Sequence, residues 1–389
     1  MASRTTHPVI GTRSLNRATL ARQLLLGRAG MSARDAVGHL LGLQAQNVKP
    51  PYYQLHARLA GFRPAELAGL MESREVVRMV TMRSTIHTHT AHDALTLRPL
   101  VQPARDREVG HFRKGLVGVD LERLTERARA FVEAGPPRTM GEIREELLTQ
   151  WPGADPQSLA VAARCRLPLV QVTPRGVWGR SGQVRLTTLE NWLGSGRAAD
   201  AAAYAAADGP AGAAAAVDDV VLRYLGAFGP ASVKDMQAWA GLTRLREAFE
   251  RLRPRLVVFR DENGAELFDL PDAPRPDPDV PAPPRFLPEF DNLLLSHADR
   301  TRVITPEAKG RNWAGNQAYR TLLLDGFLAG LWKADAGVLT VELFAPASKA
   351  AKQAKEEIVA EGELLLAAME EDPKTPSGRW SVRFGSIHG

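Results

Sequence analysis

The sequence predicts an α+β chain built on tandem winged-helix motifs, each a helix-turn-helix followed by a β-hairpin. Three observations predict it. Between Pro230 and Leu270 the pattern runs helix, turn, helix, hairpin in about 45 residues, with the second helix shaped to enter a major groove. The same grammar occurs 93 residues earlier (137 against 230). Positive charge is also segregated, as a polyanion-binding face requires.

The elements follow in order. Apolar spacing makes residues 14–28 and 32–43 amphipathic helices, the second capped by Ser32, and Pro50-Pro51 opens a third carrying Tyr52, Leu55 and Leu59. Glu75–Thr81 and Ser84–Thr90 read as strands meeting at a tight turn. Pro137-Arg138-Thr139-Met140-Gly141-Glu142-Ile143 matches Pro230-Ala231-Ser232-Val233-Lys234-Asp235-Met236 in proline, hydroxyl cap, acid and apolar positions. Helices at about 139–150 and 156–167 follow the first copy, then strands near Leu169–Thr173 and Gln183–Thr187. After the second copy a helix ends at Ala240-Gly241, Leu242–Leu252 forms another, and Asp261-Glu262-Asn263-Gly264 joins two strands. The units become 14–110, 111–196 and 218–271, separated by an Ala/Gly-rich linker at 197–217. Pro271–Pro284 carries seven prolines, which makes 272–285 an extended spacer. In the last unit, 286–389, residues 286–345 read as strands and turns, punctuated by Asp325-Gly326 and Ala336-Gly337, followed by a Lys/Glu-rich helix at about 347–371 and a strand near Trp380–Phe384.

The chain has 389 residues and a net charge of +6. Its charge lies unevenly: residues 1–34 hold six arginines and no acid, and 156–189 hold five (Arg164, Arg166, Arg175, Arg180, Arg185) and again no acid. Arg-rich codon usage explains the excess of arginine over the nine lysines but not acid-free windows. No run of 18 apolar residues suggests a membrane span, and the first residues lead into no secretory apolar region. A single cysteine, Cys165, excludes a disulfide framework and a multi-cysteine metal site and suits a small core residue. A reduced cytoplasm is the expected compartment.

Several motifs are discounted. His87, His89 and His92 lack a carboxylate cluster beyond Asp93, so no metal is expected. Gly194-x-Gly196 follows no strand and lacks a third glycine. The stretch Leu41-Gly42-Leu43-Gln44-Ala45-Gln46-Asn47-Val48-Lys49-Pro50-Pro51 stands out. The prolines bias preceding residues toward extended backbone, where Gln44 and Gln46 share a face and converge on one small object. The competing reading is a polar helix end whose amides satisfy free carbonyls.

Leu41–Pro51, Val80-x-x-Arg83-x-Thr85-x-His87, Arg223–Leu242 and Leu287-Pro288-Glu289-Phe290-Asp291-Asn292-x-Leu294-Leu295 followed by Asp299-Arg300 resemble the AlkZ/YcaQ family of bacterial winged-helix DNA glycosylases. The resemblance covers about 14–345. It implies tandem winged helices held by a C-terminal β-barrel around a basic DNA channel, with Gln44 and Gln46 as the catalytic pair. The Gln-x-Gln form is that of AlkZ-like members, which are associated with self-resistance to DNA-alkylating natural products; YcaQ-like members carry Asp second.

Two amides suit that chemistry. A purine alkylated at N7 or N3 is already cationic, so it leaves without a general acid while the sugar becomes oxocarbenium-like. What remains is one water placed under C1′. Glutamine cannot take a proton at neutral pH, so only cationic bases should be excised, in double-stranded DNA, without cofactor or metal and without lyase activity. Candidate DNA contacts are Lys49, Arg83, His87, Arg175, Arg180, Arg185, His297, Arg300, Lys309, Arg311 and Trp313. Of these, Lys309–Gln317 is a glycine-flanked probe loop whose Trp313 wedges between base steps or else packs on the core, and Ser296–Arg300 is its rival. A monomer associated with the nucleoid is expected. The alternative is a non-catalytic winged-helix regulator or lesion-binding protein, which would not need Gln44 and Gln46.

Overall fold

Caps fix the helices where the sequence places them. The structure, a computed structural model, describes residues 7–194, 196, 210–345, 348–369 and 380–387. Ser32 accepts from the Asp35 amide and opens the helix Ala33–His39. Full capping boxes, Thr139 with Glu142 and Ser232 with Asp235, start the helices Met140–Gln150 and Val233–Ala240. Each box satisfies two end amides reciprocally, a contribution of about 1 kcal/mol. This is the physical content of the recurrence at 137 and 230.

The first five strands form one sheet: β1 (Leu43–Gln44), β2 (Val76–Val80), β3 (Ile86–Thr90), β4 (Leu169–Gln171) and β5 (Leu186–Thr188). Their order is β1-β3-β2-β4-β5, and β2 meets β4 through Arg78↔Gln171 and Met79↔Val170. Strands from either side of residue 111 therefore share one sheet. The helices Leu121–Glu133, Met140–Gln150 and Pro156–Arg166 close a core over β4 and β5 with Leu124, Ile143, Leu147, Leu159 and Cys165. Burial pushes the Cys165 thiol pKa up. A second core gathers Tyr224, Phe228, Trp239, Phe249 and Phe268 from the helices Pro210–Phe228, Val233–Ala240 and Arg246–Leu252 and the following hairpin. That hairpin is β6 (Val257–Arg260) paired antiparallel with β7 (Glu266–Asp269), its turn held by Asp261 Oδ1 accepting from the amides of Asn263 and Ala265. The expected helix 242–252 begins only at Arg246. Residues 197–209 of the expected linker lie outside the described residues, and from Pro210 onward the segment is helical.

The C-terminal region departs from expectation. Strands β8 (Arg285–Leu287), β11 (Thr321–Leu324), β12 (Phe327–Asp335), β13 (Val338–Leu343) and β14 (Ser381–Phe384) make a sheet of order β14-β13-β12-β11-β8. Between them β9 (Trp313–Ala314) and β10 (Gln317–Ala318) form a separate hairpin. Among the described residues this is an open sheet, not a closed barrel. Its edge strands β14 and β8 do not pair with each other, and β14 runs parallel to β13, a connection that needs a crossover and includes the helix Lys355–Met369. Ile358, Leu365, Leu366 and Met369 of that helix pack with Phe286, Trp332 and Val341, and the same core takes Tyr52 and Tyr53 from the helix Pro50–Arg58.

Of the first window's arginines, Arg17, Arg22 and Arg28 turn inward, while Arg13 and Arg34 form exposed pairs. Arg13 and Arg17 meet Asp325, Arg22 meets Asp269, Arg28 meets Glu361, and Arg34 meets Glu75. The proline spacer is strapped to the helix Thr12–Arg22, with the carbonyls of Pro278, Val280 and Pro274 accepting from Arg13, Arg17 and Arg22.

Candidate active site

The chain is extended as far as Gln44 because it pairs with a neighbour, and it bends at Gln46. Left-handed Leu41 and Gly42 turn the chain out of the helix Ala33–His39 into β1, and a Cβ at Gly42 would lie 2.3 Å from His89 Nδ1. Leu43 and Gln44 then register against Thr88 and His87, and the Ala45 amide donates to the Ile86 carbonyl at 2.8 Å. The prolines are not the cause: Lys49, directly before Pro50, is helical at φ −81° and ψ −33°. Side chains fix the remaining backbone. Gln54 Nε2 donates to the Gln44 carbonyl at 3.0 Å, Arg78 Nη2 to the Ala45 carbonyl at 3.0 Å, and Asn292 Nδ2 to the Gly42 carbonyl at 2.7 Å.

The two glutamines meet different surroundings. Gln44 is buried, and its Oε1 accepts from Arg83 Nη2 at 2.6 Å. Gln46 is exposed, with Oε1 3.4 Å from the Ile86 amide. Arg83 also donates to the Trp239 carbonyl at the end of the helix Val233–Ala240, and Nη2 lies 3.4 Å from His87 Nε2. His87 Nδ1 sits 3.0 Å from the Thr85 carbonyl, which can only accept, so the ring proton belongs on Nδ1 and Nε2 offers a lone pair to Arg83. Burial, then the Arg83 charge, holds the His87 pKa well below the ordinary imidazole range. Burial likewise lowers Arg83 and Arg78 to about 10. Neither arginine pairs with a carboxylate among the described residues, so the segment lies in a locally positive field.

The Leu287–Leu295 stretch comes up against this segment. Asp291 clamps Arg58 with both oxygens, at 2.8 and 2.9 Å and fully buried. Glu289 accepts from Asn47 Nδ2 at 3.0 Å and from Arg320 Nε at 3.0 Å, so both its oxygens are engaged. From the other side Trp178, in the loop joining β4 to β5, packs on Tyr52 and Tyr53. The two sequence stretches, some 240 residues apart, build one site. A profile described as DNA glycosylase AlkZ-like matches residues 37–368.

The chain belongs to the AlkZ-like DNA glycosylase family. Its fold is similar to that of Streptomyces sahachiroi DNA glycosylase AlkZ, at 21% identity and a TM-score of 0.73, over 97% of this chain and 100% of that one. At that identity the likeness is one of fold. Among curated proteins no match was found. No helix of the described residues is long and apolar enough to cross a membrane.

In this AlkZ-like chain the expected DNA contacts scatter in kind. Lys49 is exposed, its Nζ 5.7 Å over the Trp178 ring. Arg175 is half-buried and donates to the Gly182 carbonyl at 3.4 Å. Exposed Arg180 pairs with Glu72 at 3.0 Å and exposed Arg185 lies 3.7 Å from Glu142. Arg83 and His87 point inward, onto Gln44 and each other. His297 is not a surface tip: it is buried, its Nε2 2.9 Å from the Phe228 carbonyl, and burial depresses its pKa to about 3. Half-buried Arg300 donates to the His297 carbonyl at 3.3 Å. The β9–β10 hairpin carries an exposed tip, Ala314 to Gln317, turned by Gly315 at φ 57°, while half-buried Trp313 at its base packs edge-on against Phe290 at 5.7 Å. Exposed Lys309 and Arg311 flank it, Arg311 stacking on Phe344. Sequence reasoning assigned no role to Arg78, Gln54, Asn47 or Glu289. Asn47 and Glu289 lie inside the quoted motifs; nothing local marks Arg78 or Gln54.

Proposed function

We propose that the chain is a monofunctional DNA glycosylase that hydrolyses the N-glycosidic bond of cationic N7- or N3-alkylated purines in double-stranded DNA. One observation carries this: a strand ending in Gln44, with the carbonyls of Gln44 and Ala45 pinned by Gln54 and Arg78, leaving Gln46 exposed where the chain bends beyond it. Pinning supplies the geometry that placing a water under C1′ demands. The carboxylate bonded to this segment, Glu289, is tied at both oxygens and is a poor base or nucleophile. Amide chemistry therefore suits a substrate that leaves unaided. An exposed Gln46 fits bulky or crosslinked adducts of a genotoxic natural product, in self-resistance and base excision repair. The helix pairs Met140–Gln150 with Pro156–Arg166, and Val233–Ala240 with Arg246–Leu252, each followed by paired strands, support the winged-helix reading. We place the protein on DNA in the nucleoid, as a monomer.

The test is incubation with 7-methylguanine, bulky-adduct and crosslinked duplexes, then alkali to reveal abasic sites. Gln46→Ala should cost on the order of 10²-fold or more, as removing a preorganised polar group does, with DNA binding retained. Gln46→Asp should keep part of the activity, since a carboxylate also holds water. Borohydride should trap no covalent complex, because Lys49, the lysine of the segment, sits over Trp178 rather than beside Gln46. Full activity in the Gln44→Ala/Gln46→Ala double variant, with wild-type excision established, would return the protein to the class of DNA binders.

A further inference from the structure

The two glutamines divide the work. We infer that Arg83 is a positioning residue that locks Gln44 as a hydrogen-bond donor toward a phosphate oxygen beside the lesion, leaving Gln46 alone to hold the water. The inference rests on the glycosylase reading above.

A guanidinium has only donors, so the Gln44 atom facing Arg83 at 2.6 Å must be its carbonyl oxygen, and the amide cannot flip without meeting N–H with N–H. The orientation is over-determined. Arg83 Nη1 is held by the Trp239 carbonyl and Nη2 faces the lone pair of His87. Its backbone is left-handed at φ 53°, a conformation a side-chain-bearing residue keeps only when its surroundings impose it. Those surroundings include Gly241, where a Cβ would lie 3.0 Å from the Arg83 amide nitrogen. The helix Val233–Ala240 thus ends directly on the residue that aims Gln44.

The consequence falls on Gln44 Nε2. It donates to no acceptor among the described residues, and it is not among the buried atoms left without a partner, so it keeps access to solvent. A donor polarised through its own carbonyl by a cation, in a field that Arg83, Arg78 and Arg300 leave without a carboxylate partner, selects an anionic acceptor. In DNA that acceptor is a backbone phosphate. Gln46 Oε1, exposed and only 3.4 Å from the Ile86 amide, is the carbonyl left to accept from water.

Single-turnover excision and binding are measured on one duplex containing 7-methylguanine and one containing a tetrahydrofuran abasic analogue. Gln44→Glu keeps shape and accepting oxygens but removes the donor and adds a charge. We expect it to lose excision on the order of 10²-fold, at least as much as Gln44→Ala, and to bind the abasic duplex at least tenfold more weakly, with an unchanged or raised melting temperature from its new pair with Arg83. Arg83→Met should fall by a similar factor, and Arg83→Met/Gln44→Ala should be no worse than Gln44→Ala alone, as for residues acting as one unit. The Gln44 amide proton pair, assigned in ¹⁵N spectra by its loss in Gln44→Ala, should shift in Arg83→Met, a readout independent of excision. Gln44→Glu retaining excision and abasic-duplex affinity, additive losses, or an unmoved amide pair would each overturn the donor assignment. Gln46→Ala tests the glycosylase reading separately, since it leaves the Arg83–Gln44 contact in place.

Discussion

The two acid-free arginine windows look alike in the sequence and differ in space. In the first, Arg22 meets Asp269 at 2.5 and 2.9 Å with both side chains fully buried, and Arg28 meets Glu361 at 2.6 Å nearly so. In the second, Arg164, Arg180 and Arg185 pair with Glu108, Glu72 and Glu142 on the surface, with 42 to 62% of each arginine side chain exposed. The partners of Arg22 and Arg28 lie 247 and 333 residues away. An acid-free window thus reports only that the acids are elsewhere in the sequence, and the fold decides whether they return. Buried pairs are committed to the interior. Surface pairs are worth little in themselves and are exchangeable, which is what a phosphate contact needs.

The largest effect expected is in the first window. Arg22→Ala leaves Asp269 buried with Arg275 as its remaining guanidinium, and removing one partner of such a pair costs about 3–5 kcal/mol. Chemical denaturation should show this loss, with the affinity of the remaining folded protein for undamaged DNA unchanged. A variant of native stability that binds DNA weakly would erase the distinction between the windows.

The interior also holds neutral histidines, which sharpens the contrast through pH. Burial lowers His56 and His297 to about 3, His89 to about 4, and His87 well below the ordinary value of 6.5. The unfolded chain takes up these protons first as pH falls, so stability is complete above about 6.5 and declines from there toward 3–4. Each histidine kept neutral contributes a slope of about 1.4 kcal/mol per pH unit within that window. Asp235, whose pKa is lowered although burial opposes it, adds loss in the same direction at still lower pH, as its pairing with Arg302 and its bonds from Ser232 fail. Urea midpoints that stay flat from pH 7 to 5 would mean these histidines ionise within the fold.

What was legible followed from local chemistry. Ser32, Thr139 with Glu142, and Ser232 with Asp235 announce helix starts because caps act within four residues. Asp261 to Gly264 announces a hairpin for the same reason. The extended backbone at Gln44 was legible, though its cause is pairing with β3 rather than the prolines, and the bend at Gln46 was not. Long-range facts were not. Whether strands close into a barrel depends on where β14 pairs, and it pairs parallel to β13 beyond a helix that packs on Phe286, 83 residues before Met369 (369 − 286). Nothing beside Arg83 says that its guanidinium turns inward to Gln44 and Trp239. The polar run Ser296–Arg300 looked like a surface tip, yet His297 is drawn inward by the Phe228 carbonyl.

The smallest stability effect, and the last test, lies in the second window. Replacing Arg164, Arg180 or Arg185 by Ala should shift stability by no more than about 1 kcal/mol, because exposed ion pairs contribute little. Arg180 and Arg185 share the loop joining β4 and β5 with Trp178, which packs on the helix that follows Gln46. A DNA phosphate could replace Glu72 or Glu142 as partner at small cost. Each of these two substitutions should weaken damaged and undamaged DNA about equally and lower the magnitude of the log–log salt slope by about 1. Arg164, bonded to Glu108 and set on the helix Pro156–Arg166 rather than in the β4–β5 loop, serves as the internal control and should leave the slope alone. Salt slopes unchanged in Arg180→Ala and Arg185→Ala would make the second window like the first, with arginines that serve their own carboxylates and nothing else.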